Sequence, residues 1–277
     1  MSSSIKLSSP ATKEFWEIPI LFEDEHILAL DKPSHLLVSP DRYDPTRPNL
    51  MGLLHRDIKR GAAWVRNLGS SYLANAHRLD FETSGVIMLA KSKPVLIKLA
   101  DQFGIEKPSK IHVALVHGAP PEDEFEAGFK LAPHPTKPGL MRIDQEFGKK
   151  ANSRFCVTER FSRYSLLQCQ LCTDRTHQIR LHLQRLKFPV VGDAHYGGHP
   201  LLLSSLKPNY RFKGDEPEKP LIGRVALHAI SLEISHPVTG ASIRVESPWP
   251  KDLTVAVKYL RRYAMIGGGF TPRETDA

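Results

Sequence analysis

The segment His77-Arg78-Leu79-Asp80-Phe81-Glu82-Thr83-Ser84-Gly85 runs directly into Val86-Ile87-Met88-Leu89-Ala90. The second half is a continuous apolar run, short enough for a strand buried on both faces. The first half sets a carboxylate beside a guanidinium in a Thr/Ser/Gly-rich turn. A carboxylate so placed can act as nucleophile or base if the fold brings a second cation to favour its charged form. Asp174-Arg175-Thr176-His177-Gln178-Ile179-Arg180 offers such a cation.

Working outward, Ile27-Leu28-Ala29-Leu30 reads as a short strand stopped by Asp31-Lys32-Pro33, and Val38 to Pro48 as a Pro/Asp-rich loop. Asn49 starts a helix to about Arg60, with Leu50, Leu53 and Leu54 on one face. Ser92 caps a helix carrying Val95, Leu96, Leu99 and Phe103, ended by Gly104. Ile111 to Val116 is a further strand. The Pro- and Gly-bearing stretch Glu122 to Gly148 reads as a flexible insertion. Arg154–Phe161 with Tyr164–Cys172, and Leu227–Ile234 with Ser242–Glu246, read as hairpins. Thr176 is placed to cap a helix bearing Ile179, Leu183 and Leu186. Without regular βα alternation, this pattern predicts an α+β fold with a largely antiparallel sheet. Residues 1–13 read as a disordered tail, 14–262 as one domain and 263–277 as a polar C-terminal tail, with Gly267 onward the polar stretch.

A chain of 277 residues can bury a sizeable core, and no apolar run is long enough to span a bilayer. Met1 to Lys13 has no acidic residue, but it also lacks an Arg and an apolar segment, so it reads as a frayed terminus rather than a targeting sequence. Three cysteines (Cys156, Cys169, Cys172) point to a reducing, cytoplasmic setting rather than a disulfide framework. Cys169 and Cys172 have half of a zinc-site spacing and no second pair, and His177 and His182 lie five apart, off one helical face, so no metal is expected. The net charge is +8. From Arg142 to Lys187 there are ten Lys and Arg against four Asp and Glu, whereas the rest of the chain holds 28 against 26. The basic excess thus surrounds the second motif and suits a polyanionic partner.

The first motif resembles the signature of the RluA-type RNA pseudouridine synthases, through His77, Arg78, Leu79, Asp80, Thr83, Ser84 and Gly85. Asp31-Lys32-Pro33 with Leu36-Leu37-Val38 looks like the family's first segment. Arg175 to His182 looks like its third, followed by Pro189-Val190-Val191-Gly192-Asp193, Tyr196-Gly197, Leu227-His228-Ala229 and His236 to Gly240. The likeness spans roughly Ile20 to Pro250 in order. It implies a pseudouridine synthase-like mixed sheet, flanked by helices and loops around a central cleft. It also implies isomerisation of a uridine in structured RNA, ribosomal or transfer, by breaking the base–sugar bond, rotating the uracil and re-attaching it through carbon. No cofactor is required for that reaction, and a monomer is expected.

By the resemblance Asp80 is the catalytic carboxylate and Arg175 its guanidinium partner. Arg78 braces the RNA backbone or the flipped nucleotide. Thr83, His177, Gln178, Ile179 and Arg180 contribute to substrate binding. A uridine stacked in RNA must be extruded to be reached, and an aromatic side chain would then hold it. Two positions depart from the family pattern. After Lys110-Ile111 the family has Tyr, where this chain has His112; it reads equally as a pocket residue or as a core or solvent-facing histidine. In the pocket it predicts a pH dependence at about pH 6–7. Asp174 stands where Gly is common, which suggests a left-handed backbone that Asp tolerates. Two rivals remain: an RNA-binding or remodelling protein on the same fold with its chemistry weak or lost, and a metal-dependent nucleic-acid hydrolase. The latter demands clustered carboxylates that the sequence lacks. With only about 15 to 20 residues before the first strand, target choice is expected to come from the Arg142–Lys187 region and the loops around Arg42 and Lys137.

Overall fold

The computed structural model describes residues 3–105, 108–210 and 216–265. In chain order the elements are β1 (Ser4–Ser8), β2 (Phe15–Glu23), β3 (Ile27–Lys32), α1 (Leu50–Lys59), α2 (Ala63–Leu68), β4 (Ala74–Asn75), β5 (Ser84–Ala90), α3 (Lys93–Gly104) and β6 (Ser109–His117). They continue with β7 (Glu124–Pro133), β8 (Met141–Ile143), β9 (Lys149–Arg160), β10 (Tyr164–Leu171), α4 (Gln178–Arg185), a short 3₁₀ turn (Ala194–Tyr196), β11 (Leu227–Ser235), β12 (Ser242–Glu246) and α5 (Lys251–Tyr263). The strands form one sheet in the order β1-β2-β3-β5-β11-β6-β10-β9-β7-β8, with β12 on β11 and β4 on β5. Pairing is antiparallel except where β5 meets β11. The mixed, largely antiparallel α+β architecture is the one expected.

The parallel junction explains the composition of the first motif. Ser84 and Gly85 pair with His228 and Ala229. Gly85 has φ +114, and a Cβ there would lie 2.2 Å from the Ala229 carbonyl oxygen. Only glycine allows both that backbone and that approach. Ser84 Oγ and His228 Nδ1 are hydrogen-bonded at 2.9 Å across the same junction. β5 is buried at every position, as its unbroken apolar run requires.

Helix signals carried over well. Asn49 caps α1 by accepting from the Gly52 amide at 2.8 Å, and Ser92 caps α3 by accepting from the Val95 amide at 3.4 Å. Other expectations are corrected. Glu122 to Gly148 holds two strands: β7 pairs with β9 along eight positions and returns through β8. Its Phe125, Ala127, Phe129 and Leu131 alternate inward, a period-2 signal outweighed in the sequence by the neighbouring prolines and glycines. Thr176 does not cap α4. The residue before that helix is His177, left-handed at φ 55, and the Thr176 hydroxyl instead accepts from Arg78 Nη2. Asp174 is not left-handed; the tight turn is made at His177. α5 was not anticipated, although Leu253, Ala256, Val257 and Leu260 are spaced for one helical face, and all four are buried. The expected boundary at residue 263 falls on the last residue of this helix, and Ala264 beyond it is buried. The stretch from Gly267 lies outside the described residues.

Residues 3–13 are not a disordered tail, and residues 1 and 2 lie outside the described residues. Ser4–Ser8 pairs with β2, and Ile5 and Leu7 are fully buried in a cluster with α1 and β3. Alternation of Ile5, Leu7 and Ser9 inward with Lys6 and Ser8 outward is what seats this strand. Truncating Leu7 to Ala should therefore destabilise the protein by about 2–5 kcal/mol in urea unfolding; a tail would leave the midpoint unmoved.

Candidate active site

β5, β6, β11 and the N-terminus of α4 converge on one cavity. Its walls include Arg78, Asp80, Thr83, Lys110, His112, Asp174, Arg175, His177, Gln178, Ile179 and Arg180. Every site residue expected from sequence therefore reaches the same hollow, although the two motifs lie almost a hundred residues apart. A second hollow opens beside it over His77, Arg78, Asp174, Arg175 and Thr176.

Asp80 sits on the turn before β5, shaped by the Thr83 amide donating to the Asp80 carbonyl at 3.2 Å. Its carboxylate is about one-fifth exposed, lying 3.6 Å from Arg180 Nη1 and 4.0 Å from His177 Nε2. The buried guanidinium opposite Asp80 is thus Arg180. Arg175, the expected partner, lines the same cavity, with Nε donating to the Lys150 carbonyl at 3.3 Å and its amide to Gln178 Oε1 at 3.1 Å. Five residues separate the two arginines, and α4 turns Arg180 inward over its first turn.

Arg180 is held from behind. Its Nε and Nη2 donate to the two oxygens of Asp193, at 2.7 and 2.8 Å, and its guanidinium lies 4.9 Å from the centre of the Tyr196 ring. Asp193 has no exposed surface. Burial alone would lower the Arg180 pKa, but the hydrogen bonds and charge of Asp193, with the charge of Asp80, raise it above the ordinary value. The Tyr196 hydroxyl hydrogen-bonds His177 Nδ1 at 2.7 Å and accepts from the Met141 amide at 2.9 Å. Burial, partly offset by Asp80, depresses the His177 pKa, which favours a neutral ring.

The remaining expected residues divide by what already occupies them. Gln178 is saturated by protein. Its Oε1 accepts from the Thr173 hydroxyl and the Arg175 amide, and its Nε2 donates to the Asn152 carbonyl and Ser153 Oγ. It ties the second motif to β9 while forming part of the cavity wall. Ile179 and Thr83 are buried in the wall, the first apolar and the second carrying a hydroxyl. Arg78 is exposed at the rim. His112 on β6 is buried inside the cavity wall, and its buried Nδ1 has no hydrogen-bond partner among the described residues. Burial pushes its pKa down to about 4, with the Asp174 charge acting against that. The pH 6–7 dependence expected of a pocket histidine is therefore corrected: this ring is neutral across that range.

Several contributors were not assigned roles from sequence. Lys110 Nζ pairs with Asp174 at 3.1 Å, which accounts for the acidic residue at that position without a left-handed backbone. His77 accepts from the Met88 amide through Nε2 at 2.9 Å and stacks on Phe103, pinning the turn to β5 and α3. Lys32 is fully buried under the Asp80 turn, donating to the carbonyls of Pro33 and Leu36 at 2.7 Å and of Phe81 at 3.5 Å. Burial lowers its pKa to about 7, and the negative charge of Asp80 holds it from falling further. A lysine so rarely buried gives no warning in the sequence.

The comparisons with known proteins agree with this geometry. Residues 26–185 match the family described as RNA pseudouridylate synthase. A relative named ribosomal large subunit pseudouridine synthase D, from Xanthomonas campestris pv. campestris, is 35% identical over 87% of this chain and 69% of its own. One named RNA pseudouridine synthase 2, chloroplastic, from Arabidopsis thaliana, is 30% identical over 95% of this chain and 70% of its own. Among solved structures, human RNA Pseudouridylate Synthase Domain Containing 4 superposes with a TM-score of 0.65 at 20% identity, covering 87% of this chain and 92% of that one. Cleft, motif order and relatives together define an enzyme that isomerises a base within RNA. The chain belongs to the RNA pseudouridine synthase family, of the RluA type.

Two outcomes follow from the electrostatics. Replacing Asp80 by Asn should move the Lys32 pKa below its value of about 7, read from the pH titration of the lysine Cε signals by NMR. Asp193→Ala leaves a buried guanidinium without its bidentate partner and should cost about 3–5 kcal/mol of stability, measured by denaturant unfolding.

Proposed function

We propose that Asp80 is the catalytic carboxylate of this synthase and acts on the ribose of a uridine flipped into the cavity. One observation carries the reading: a partly exposed carboxylate meets a buried guanidinium at 3.6 Å on the wall of a hollow lined by Thr83, His112 and Ile179. Arg180 supplies a charge that does not titrate and a planar fork already oriented by Asp193. Arg175 and Arg78, toward the rim, would brace the phosphates on either side of the target nucleotide. The uracil N1–C1′ bond breaks, the base turns, and C5 bonds to C1′. The proton lost from C5 is balanced by one gained at N1, so the step consumes nothing.

His112 is the wall residue on which the base would rest, with a buried Nδ1 that has no hydrogen-bond partner among the described residues. A neutral imidazole offers one donor and one acceptor, which suits a uracil edge that carries both. The relatives' names favour a ribosomal RNA target over a transfer RNA, and a cytoplasmic setting is in keeping with that.

Asp80→Asn should abolish pseudouridine formation on total RNA from cells lacking the gene while RNA binding is retained. A variant that complements fully in cells would replace this reading with that of an RNA-binding protein. Arg180→Lys should lose at least tenfold in rate, because an ammonium cannot contact Asp193 with two parallel bonds while also facing Asp80. Between about pH 6 and 8 the rate should show no inflection that a His112→Tyr variant removes.

A further inference from the structure

The turn between β8 and β9, Asp144 to Gly148, lifts an aromatic ring into solvent three residues before Lys150, whose carbonyl accepts from Arg175 Nε. Phe147 is 78% exposed, the highest exposure of any large apolar side chain among the described residues. The turn that carries it is strongly determined. Asp144 Oδ1 accepts from the amides of Glu146 and Phe147, at 3.1 and 3.0 Å, while the Asp144 carbonyl accepts from the Gly148 amide at 3.0 Å. The Asp144 amide donates to the Lys130 carbonyl at 2.8 Å. Gly148 is packed so closely that a Cβ there would lie 2.3 Å from the Asp144 carbonyl oxygen. The ring is therefore presented by a pinned backbone, not by a loose loop.

Its surroundings are basic and lead to the site. Lys149 and Lys150 follow it on β9, both exposed, and Arg142 lies across the turn, paired with Asp144 at 2.6 Å. Glu146 is the exposed carboxylate at the tip. The Lys150 carbonyl is the group that accepts from Arg175 Nε on the cavity rim. Phe147 precedes Lys150 by three residues, roughly 10 Å of chain at most. A nucleotide on the ring and one in the cavity can thus belong to one short strand.

We propose that Phe147 is a stacking platform for an unpaired base of the RNA substrate, adjoining the flipped uridine, with Lys149 and Lys150 holding the phosphates that lead to it. This rests on the reading of the cavity as a uridine site. An exposed aromatic flanked by lysines matches the two components of single-strand recognition: a π-face that accepts any base, and charge that tracks the backbone. Extrusion of the uridine leaves its neighbour without a stacking partner on one face, and the platform supplies one.

The test is titration of a fluorescein-labelled oligouridine with the full-length protein across a range of salt concentrations. Phe147→Ala should bind about five- to tenfold more weakly at every salt concentration, with the slope of log K against log salt unchanged, because stacking releases no counterions. Phe147→Trp should restore the affinity. The double replacement Lys149→Gln and Lys150→Gln should instead flatten the slope by about 1.4. Wild-type affinity in Phe147→Ala, or failure of the Trp variant to recover it, would overturn the platform while pseudouridine formation by the wild type leaves the catalytic reading standing. A wild-type protein that neither binds the oligouridine nor forms pseudouridine would overturn both.

Discussion

The buried pair between Arg180 and Asp193 is the interaction around which the site is arranged. Taking a guanidinium and a carboxylate out of water is costly, and a hydrophobic pair of the same volume would often be as stable. What the pair provides is direction. With Nε and Nη2 fixed on Asp193, Nη1 has one orientation left, toward Asp80. Tyr196 closes the arrangement beneath, contacting the guanidinium with its ring and His177 with its hydroxyl. The imidazole within 4.0 Å of Asp80 is thereby oriented by the same scaffold.

The opposite side of Asp80 is organised by burial of a lysine. Lys32 holds three backbone carbonyls, one of them from Phe81 in the turn that carries Asp80. Arg224 performs a comparable task from the C-terminal half. It donates to the carbonyls of Glu82, Val225 and Leu227 while paired with Asp252 at the start of α5. The turn of the first motif is thus clasped by cations belonging to distant segments. Their carbonyl contacts shape the backbone, and the charges of Lys32 and Asp80 also interact through space. Shape and electrostatics at the site therefore share the same residues.

Much of this could be read in advance because its causes are local. Asn49 and Ser92 cap their helices through their own side chains, and the β5 run is apolar along its whole length because the strand is buried on both faces. The misreadings have a different origin. The β7–β8 hairpin was hidden by prolines at its ends, and β1 by its position at a terminus, although both carry clear alternation. Arg175 and Arg180 belong to one motif and both reach the cavity, and the placement of α4 brings the Arg180 guanidinium to 3.6 Å from Asp80. His112 is the instructive case. Its type suggested titration near neutrality, but titration depends on surroundings, and burial between β10 and β11 removes it.

What the sequence determined by itself was the identity and order of the charged groups that meet in the cavity, a carboxylate in a tight turn and an arginine-rich helix start, because these are written in consecutive residues. It also determined Gly85, since no other residue accepts that backbone. The tertiary structure alone decided which cation faces the carboxylate, which histidine stays neutral and which glutamine is spent on the scaffold. Each of those outcomes depends on distance and desolvation between segments far apart in the chain, and such quantities come into being only when the sheet is assembled.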